Sequence, residues 1–114
     1  MDNEKIRQKL LECSVSHHDY LIKSLEDPEE AAIYLQVALD EYQEDGNTEF
    51  FMKALRDVAE ASGGVGPLAK KTHLNRQNLY NTLSHKGNPR LNTLGVILSG
   101  LGFHLSITPI HRAA

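Results

Sequence analysis

Residues 66–83 contain the pattern that most restricts the fold of this chain, because two short amphipathic segments follow each other across a break. Pro67 suits the first turn of a helix, where a missing backbone N–H costs nothing. Asn75 can cap a second helix by accepting a hydrogen bond from a free backbone N–H. In that helix, Leu79 and Leu83 lie four residues apart and share one buried face. The stretch predicts two short helices joined by a tight turn.

The other faces of the second predicted helix are polar for so short an element. Amide and guanidinium groups of this kind form paired hydrogen bonds with adenine and guanine edges in the major groove of DNA. We expect three side chains to contact base edges: Arg76, Gln77 and Asn81. Asn78 belongs to the same exposed set, and Tyr80 either contacts a thymine methyl group or packs against its neighbours.

The spacing resembles the helix-turn-helix of phage-repressor-like regulators. The small Ala69 lets two helices cross closely, and the apolar Leu74 follows the turn, as in that motif. The chain departs from the motif at His73, where glycine usually makes the turn, and at Thr82, where a larger apolar residue is usual. Histidine tolerates the left-handed backbone better than most residues, at the cost of some strain.

The polar loop 84–90 follows the second helix and would leave it beside the DNA backbone. The expected phosphate contacts are Lys70, Asn75, Lys86, Asn88 and Arg90. The alternative interpretation is that the loop is a plain turn without a binding role, as its Gly and Pro residues also allow.

Helix-start and helix-stop signals divide the rest of the chain. Asp27 followed by Pro28 begins a long predicted helix, which Gly46 ends. Asn47 is expected to cap the next helix and Asn92 to cap the last. We therefore predict three regions: an N-terminal extension over 1–19, helices that pack on the core over 20–46, and a DNA-binding domain over 47–108.

Two features of the last region depend on neighbours that the sequence does not identify. Gly95 weakens the last helix, and close approach of another helix would explain it. Phe103, Leu105 and Ile107 alternate with polar residues, the period of a half-buried strand. A strand over 103–108 needs a partner for its backbone groups, either the same strand of a second subunit or an N-terminal segment of its own chain.

Charge is distributed unevenly along the chain. Residues 63–114 contain six basic residues and no acidic residue, whereas residues 1–62 contain the other six basic residues and all fifteen acidic ones. Such asymmetry indicates that the two halves face different partners. A segment without carboxylates favours contact with a polyanion through counterion release. We expect the acidic half to point away from DNA.

Several function classes are not indicated. The lone Cys13 cannot form an intramolecular disulfide, and no histidine spacing typical of zinc is present, so we predict no metal and no cofactor. The chain contains no phosphate-binding glycine loop and no nucleophile motif, so we do not expect an enzyme. It has no apolar run of membrane-spanning length, and its acidic N-terminus is unlike a secretory signal. We expect a cytoplasmic protein.

Five segments of the chain carry a further likeness: residues 27–35, 54–59, 68–72, 78–80 and 87–91. Together they make the sequence from about residue 20 to 108 resemble the addiction-module antidote proteins that have a phage-repressor-like helix-turn-helix. The Gly-Asn-Pro-Arg loop that ends at Arg90 is the most distinctive part. The chain departs from the family at Asn75, where Ser or Thr is more usual, and at Asn78, where Glu is more usual.

The resemblance implies an all-α fold, a repressor-like helix-turn-helix bundle with N-terminal extra helices, to which we add the short C-terminal strand. It implies an antitoxin that is paired with a small toxin of the mRNA interferase or gyrase-poison class. It also implies a homodimer that represses its own operon by binding double-stranded DNA at a palindromic operator. The dimer contact is expected through the 103–108 strand, and the toxin surface on the acidic helices of 20–62. The alternative is a protein-interaction module that binds a partner through those helices and never contacts DNA.

Overall fold

The computed structural model describes residues 17–84 and 88–110, and the regular structure within these ranges is helical, as the all-α prediction requires. The first described helix, α1, covers residues 17–24. The following helices are α2 (Pro28–Asp45), α3 (Glu49–Ala61), α4 (Val65–Thr72), α5 (Arg76–Thr82) and α6 (Leu91–Gly100).

The two ends of α2 confirm the signals in the sequence. The Asp27 side chain accepts a hydrogen bond from the backbone N–H of Glu29, and Pro28 occupies the first helical position. Gly46 adopts the left-handed conformation with φ 72°, and its N–H donates to the carbonyl of Tyr42 at 2.7 Å. Both ends are therefore satisfied locally, which fixes the length of α2.

The core is centred on the apolar face of α3. Its side chains Met52, Leu55 and Val58 are almost fully buried. Burial of each such side chain contributes about 2 kcal/mol of stability. The other helices cover this face with Ala31, Leu35 and Ala38 from α2, Leu68 and Ala69 from α4, Leu79 from α5, and Ile97 and Leu98 from α6.

A polar cluster joins α2 to α3. Asp57 is buried, and its Oδ2 accepts hydrogen bonds from the Tyr34 hydroxyl at 2.7 Å and from Lys53 Nζ at 2.8 Å. The ring of Tyr34 also packs edge-on against Phe50, with 6.1 Å between the centroids. The buried carboxylate is thus paired with a cation and hydrogen-bonded, as burial of a charge requires. The cluster fixes the register between the two helices.

Close approach of α6 to α4 occurs at Gly100 and not at Gly95. A Cβ on Gly100 would lie 2.7 Å from Thr72 Cγ2 and 3.0 Å from Leu68 Cδ1, whereas a Cβ on Gly95 would meet no described atom within 4 Å. The explanation offered for Gly95 is therefore wrong. Gly100 is the residue at which α6 crosses α4, and a side chain there would collide with α4.

Two predicted caps are displaced. Asn47 accepts a hydrogen bond from the N–H of Glu49, but the residue directly before α3 is Thr48. The last helix begins at Leu91, so Asn92 lies inside it. Pro89 and the extended backbone of Arg90 set that start, because a residue with extended φ and ψ cannot belong to the helix.

The predicted C-terminal strand is wrong: residues 103–110 contain no regular structure, and no strand is found among the described residues. The Phe103 N–H donates to the carbonyl of Leu98, which closes the end of α6, and its ring packs on the core. Leu105 is 43% exposed and Ile107 98% exposed. The alternating residues therefore do not share a buried face, and their backbone has no ladder partner in the described chain.

The predicted extension over 1–19, with Cys13, lies outside the described residues except for 17–19, which belong to α1. The predicted boundary between residues 46 and 47 stays a prediction. Residues from both sides of it belong to one hydrophobic cluster. No helix in the described ranges has both the length and the apolar character to cross a membrane.

Candidate nucleic-acid interface

The turn between α4 and α5 is built by three consecutive residues. Thr72 Oγ1 donates to the carbonyl of Leu68 at 2.8 Å and accepts from the N–H of Leu74 at 3.4 Å. Between them, His73 has φ 59° and ψ 22°, the left-handed conformation that was expected at this position. Leu74 then packs half-buried against the core. The turn from α4 to α5 is therefore completed within three residues.

Asn75 caps α5, as predicted. Its Oδ1 accepts hydrogen bonds from the N–H groups of Gln77 at 2.9 Å and Asn78 at 3.1 Å. Two of the four free N–H groups at this helix start are thus satisfied by one side chain. This matters for an element of seven residues, which is too short to be stable without caps and packing.

The buried side of α5 is attached to the core at its middle and directly after its C-terminus. Leu79 is 1% exposed and Leu83 is 3% exposed, which confirms the predicted inward face. Arg56 Nη1 of α3 donates to the carbonyl of Leu83 at 2.9 Å and so satisfies a free carbonyl where α5 ends. The sequence pattern gave no sign of this contact, because Arg56 and Leu83 are 27 residues apart.

The outward side of α5 contains the predicted base-contacting residues. The exposed residues are Arg76, Gln77, Asn78, Tyr80 and Asn81. Gln77 Nε2 donates to Asn81 Oδ1 at 3.2 Å, so two of these side chains lie together one helical turn apart. Tyr80 is 62% exposed, so more than half of its surface is open to solvent.

A shallow groove runs along the start of α5. Its lining residues are Val65, Asn75, Arg76, Gln77 and Tyr80. The groove therefore combines one aliphatic side chain with a guanidinium and three amide or phenol groups, and these polar groups are able to contact base edges and phosphates.

The predicted phosphate contacts lie on separate elements. Lys70 is exposed on α4, and Arg90 is exposed directly before α6. Asn88 lines a groove with Tyr42 and Leu94, beside the end of α2. Lys86 lies outside the described residues. The structure thus brings Asn75, Arg76, Gln77 and Tyr80 together around one groove and leaves Lys70, Asn88 and Arg90 outside it.

The charge asymmetry of the sequence appears on the surface. Lys70, Lys71, Arg76 and Arg90 are exposed. In the described ranges, Lys53 forms an ion pair with Asp57, and His18 Nε2 lies 3.4 Å from Glu60 Oε2; all four residues belong to the acidic half. The described part of the chain also contains no cluster of three or more residues suited to hold a metal ion. The exposed cations of the basic half are therefore available to a polyanion.

Comparison with known proteins gives one family. A family model described as "Probable addiction module antidote protein" matches residues 15–109. An uncharacterized protein of Haemophilus influenzae is 29% identical over 73 residues, which is 64% of this chain and 74% of the relative. No solved structure matches the chain.

Proposed function

Because the chain belongs to the family of probable addiction module antidote proteins, we propose that it is an antitoxin that also represses its own operon by binding DNA as a dimer. The family implies a toxin as partner, and DNA binding extends the role to regulation of the module. The proposed action is non-catalytic, needs no cofactor and takes place in the cytoplasm, where the operator is.

The observation that carries the DNA-binding part is the polar outer face of α5. Five neighbouring side chains are exposed around one buried leucine, and four of them carry amide or guanidinium groups. A helix of this kind, held after a tight turn, is the element that enters the major groove in helix-turn-helix proteins. Gln77, Arg76 and Asn81 are proposed to contact base edges.

Exposed cations support the same proposal. Lys70, Arg76 and Arg90 lie in a half of the chain without carboxylates, so no acidic residue nearby in sequence repels phosphate. Lys70, Lys86, Asn88 and Arg90, with the start of α5 at Asn75, are proposed to contact the DNA backbone. Such contacts position the protein without sequence preference.

The dimer is proposed from the geometry of operators. Two α5 helices about one helical turn apart, roughly 34 Å, would bind the halves of a palindrome. Since 103–108 forms no strand, that segment is not proposed as the dimer contact. Sedimentation of the protein with a palindromic duplex would measure the number of chains per site, and a ratio of one would contradict the dimer.

The test measures binding to a labelled duplex from directly upstream of the gene, with a scrambled duplex as reference. Gln77→Ala should reduce the preference for the operator by about 1–3 kcal/mol, the value of one paired base contact. Gln36→Ala is the matched control, because Gln36 donates to Asp40 across the same four-residue spacing on exposed α2. If Gln77→Ala and Arg76→Ala both left operator binding unchanged, α5 would not be the base-contacting helix.

A protein-interaction module without DNA binding is the second candidate. The exposed aliphatic residues Ile33 and Val37 on α2 favour it, since they suit contact with another protein. It would replace the first candidate if the operator and scrambled duplexes bound equally weakly at low salt.

A further inference from the structure

Helix α2 has an outward face that the fold does not use. Its buried side consists of Ala31, Leu35 and Ala38. On the opposite side, Ile33 is 60% exposed and Val37 48% exposed. These two β-branched side chains are four residues apart, so they lie next to each other on the helix surface. The pair forms an apolar patch in the middle of an 18-residue helix.

Carboxylates surround this patch. Glu30, Asp40 and Glu41 are each three or four residues from one of the two aliphatic residues, and all are exposed. Over its whole length α2 contains six acidic residues and no Lys or Arg. Among the described residues, the carboxylates within salt-bridge distance of a basic side chain are Asp57 and Glu60 of α3, and none belongs to α2. The carboxylates of this face therefore form no ion pair with the described residues.

The combination of an apolar centre and a charged rim is the usual arrangement of a protein interface. An amphipathic helix typically docks such a face into an apolar groove on its partner, with anchors at three- and four-residue spacing. The surface consisting of Ile33 and Val37 with Glu30, Asp40 and Glu41 is here named the outer α2 surface.

We propose that the outer α2 surface binds the toxin of the same module, through an apolar groove edged by Lys and Arg residues. This proposal rests on the proposed antitoxin function. The charge of the surface selects a basic protein, since carboxylates opposed to cations favour encounter and exclude acidic partners. DNA is excluded as the occupant because its phosphates would be repelled.

A second copy of this chain offers another basic surface, its carboxylate-free half over residues 63–114. Binding of its basic half to the outer α2 surface would cover Lys70 and Arg76, which the DNA-binding proposal requires. The contact would also join two different faces, and contacts of that type form open chains unless the rotation closes a ring. The toxin is therefore the occupant to which the proposal commits.

The experiment uses the full chain and the purified toxin encoded in its own module. Ile33→Ser with Val37→Ser should weaken toxin binding at least tenfold, about 1.4 kcal/mol, because both anchors are lost. Serine has a helix propensity close to that of the residues it replaces, so α2 should persist. The control is Leu91→Ser, which removes an aliphatic side chain that is 75% exposed on another helix and should leave affinity for the toxin within twofold.

A second pair of variants isolates the charges. Asp40→Asn with Glu41→Gln should make toxin affinity less dependent on salt, since two rim charges are removed. Asp19→Asn, at an exposed carboxylate of α1, is the control and should keep the dependence of the wild type. Hydrogen exchange provides a measurement that needs no variant: the toxin should slow exchange in residues 28–45 and leave 76–82 unchanged.

The outcomes separate the two proposals. If the wild type binds the toxin and the double serine variant binds it equally well, the outer α2 surface is not the docking site and the antitoxin function stands. If the wild type neither binds nor neutralises the toxin, the proposed function is wrong and this inference falls with it. If the chain alone self-associates and the double serine variant does not, a second copy occupies the surface and the toxin proposal is overturned.

Discussion

At the scale of single residues, the two glycines of α6 offer a comparison within one helix. Gly100→Ala should lower the free energy of unfolding by about 1–3 kcal/mol, because the new methyl group would crowd Thr72 and Leu68. Leu68 is buried and Thr72 is held by its hydrogen bond to the Leu68 carbonyl, so neither can easily move. Gly95→Ala, with open space around it, should instead stabilise by about 0.5–1 kcal/mol. Urea unfolding measures both, and equal signs would contradict the close crossing of α4 and α6.

The cluster around Asp57 predicts a dependence on alkaline pH. Burial, and then the hydrogen bond to Asp57, raise the pKa of Tyr34 above its ordinary 10.0. The hydrogen bond to Asp57 raises the pKa of Lys53 above its ordinary 10.5. A folded-state pKa above the unfolded value means that the contribution to stability is complete below the unfolded pKa and is lost as pH rises through the folded one. Stability should therefore fall as pH increases above about 10.

Tyr34→Phe tests this origin. At neutral pH it should reduce the free energy of unfolding by about 1 kcal/mol, because one hydrogen bond to a buried carboxylate is lost. It should also make the alkaline loss of stability smaller. Tyr20→Phe is the control, since Tyr20 is 74% exposed. Unfolding in urea between about pH 8 and pH 11 measures the difference, and identical pH profiles for the two variants would contradict the role of the cluster.

At the scale of elements, α5 depends on its cap. Asn75→Ala should cost about 1 kcal/mol of stability, because the N–H groups of Gln77 and Asn78 lose their acceptor. It should also weaken DNA binding for all sequences alike. Asn75→Asp keeps an acceptor oxygen and adds a negative charge, so it should keep the stability and still lose affinity for DNA. Thermal unfolding and duplex binding separate the two effects, and a stable Asn75→Ala protein would show that packing alone holds α5.

The elements that could be predicted from sequence are those whose signals are local. Asp27 and Asn75 accept hydrogen bonds from N–H groups two or three residues away, and the turn at His73 depends on the left-handed backbone of that residue. The exposed face of α5 followed from the period of Leu79 and Leu83. Such features need no knowledge of the rest of the chain.

The remaining features depend on contacts between distant segments. Alternation over 103–108 predicted a strand, but a strand also needs a neighbour, and Phe103 packs back onto the core instead. The contact of Arg56 with the Leu83 carbonyl and the crossing at Gly100 likewise join separate helices.

At the scale of the whole molecule, separation of charge predicts how DNA binding responds to salt. Arg90→Ala should weaken binding to the operator and to a scrambled duplex alike, and reduce the slope of log affinity against log salt by about one. Lys23→Ala removes the same charge from exposed α1 in the acidic half and should leave the slope unchanged. Equal slopes for the two variants would mean that Arg90 contacts no phosphate.

Helix α3 contacts both proposed binding elements, α2 for the toxin and α5 for DNA. From α3, Lys53 and Asp57 contact Tyr34 of α2, and Arg56 contacts the carbonyl of Leu83 where α5 ends. The outward side chains of α2 and α5 are therefore expected to vary without disturbing each other. Substitutions in α3 alter both neighbours at once, so lineages that acquire a new toxin or a new operator are expected to inherit α3 almost intact.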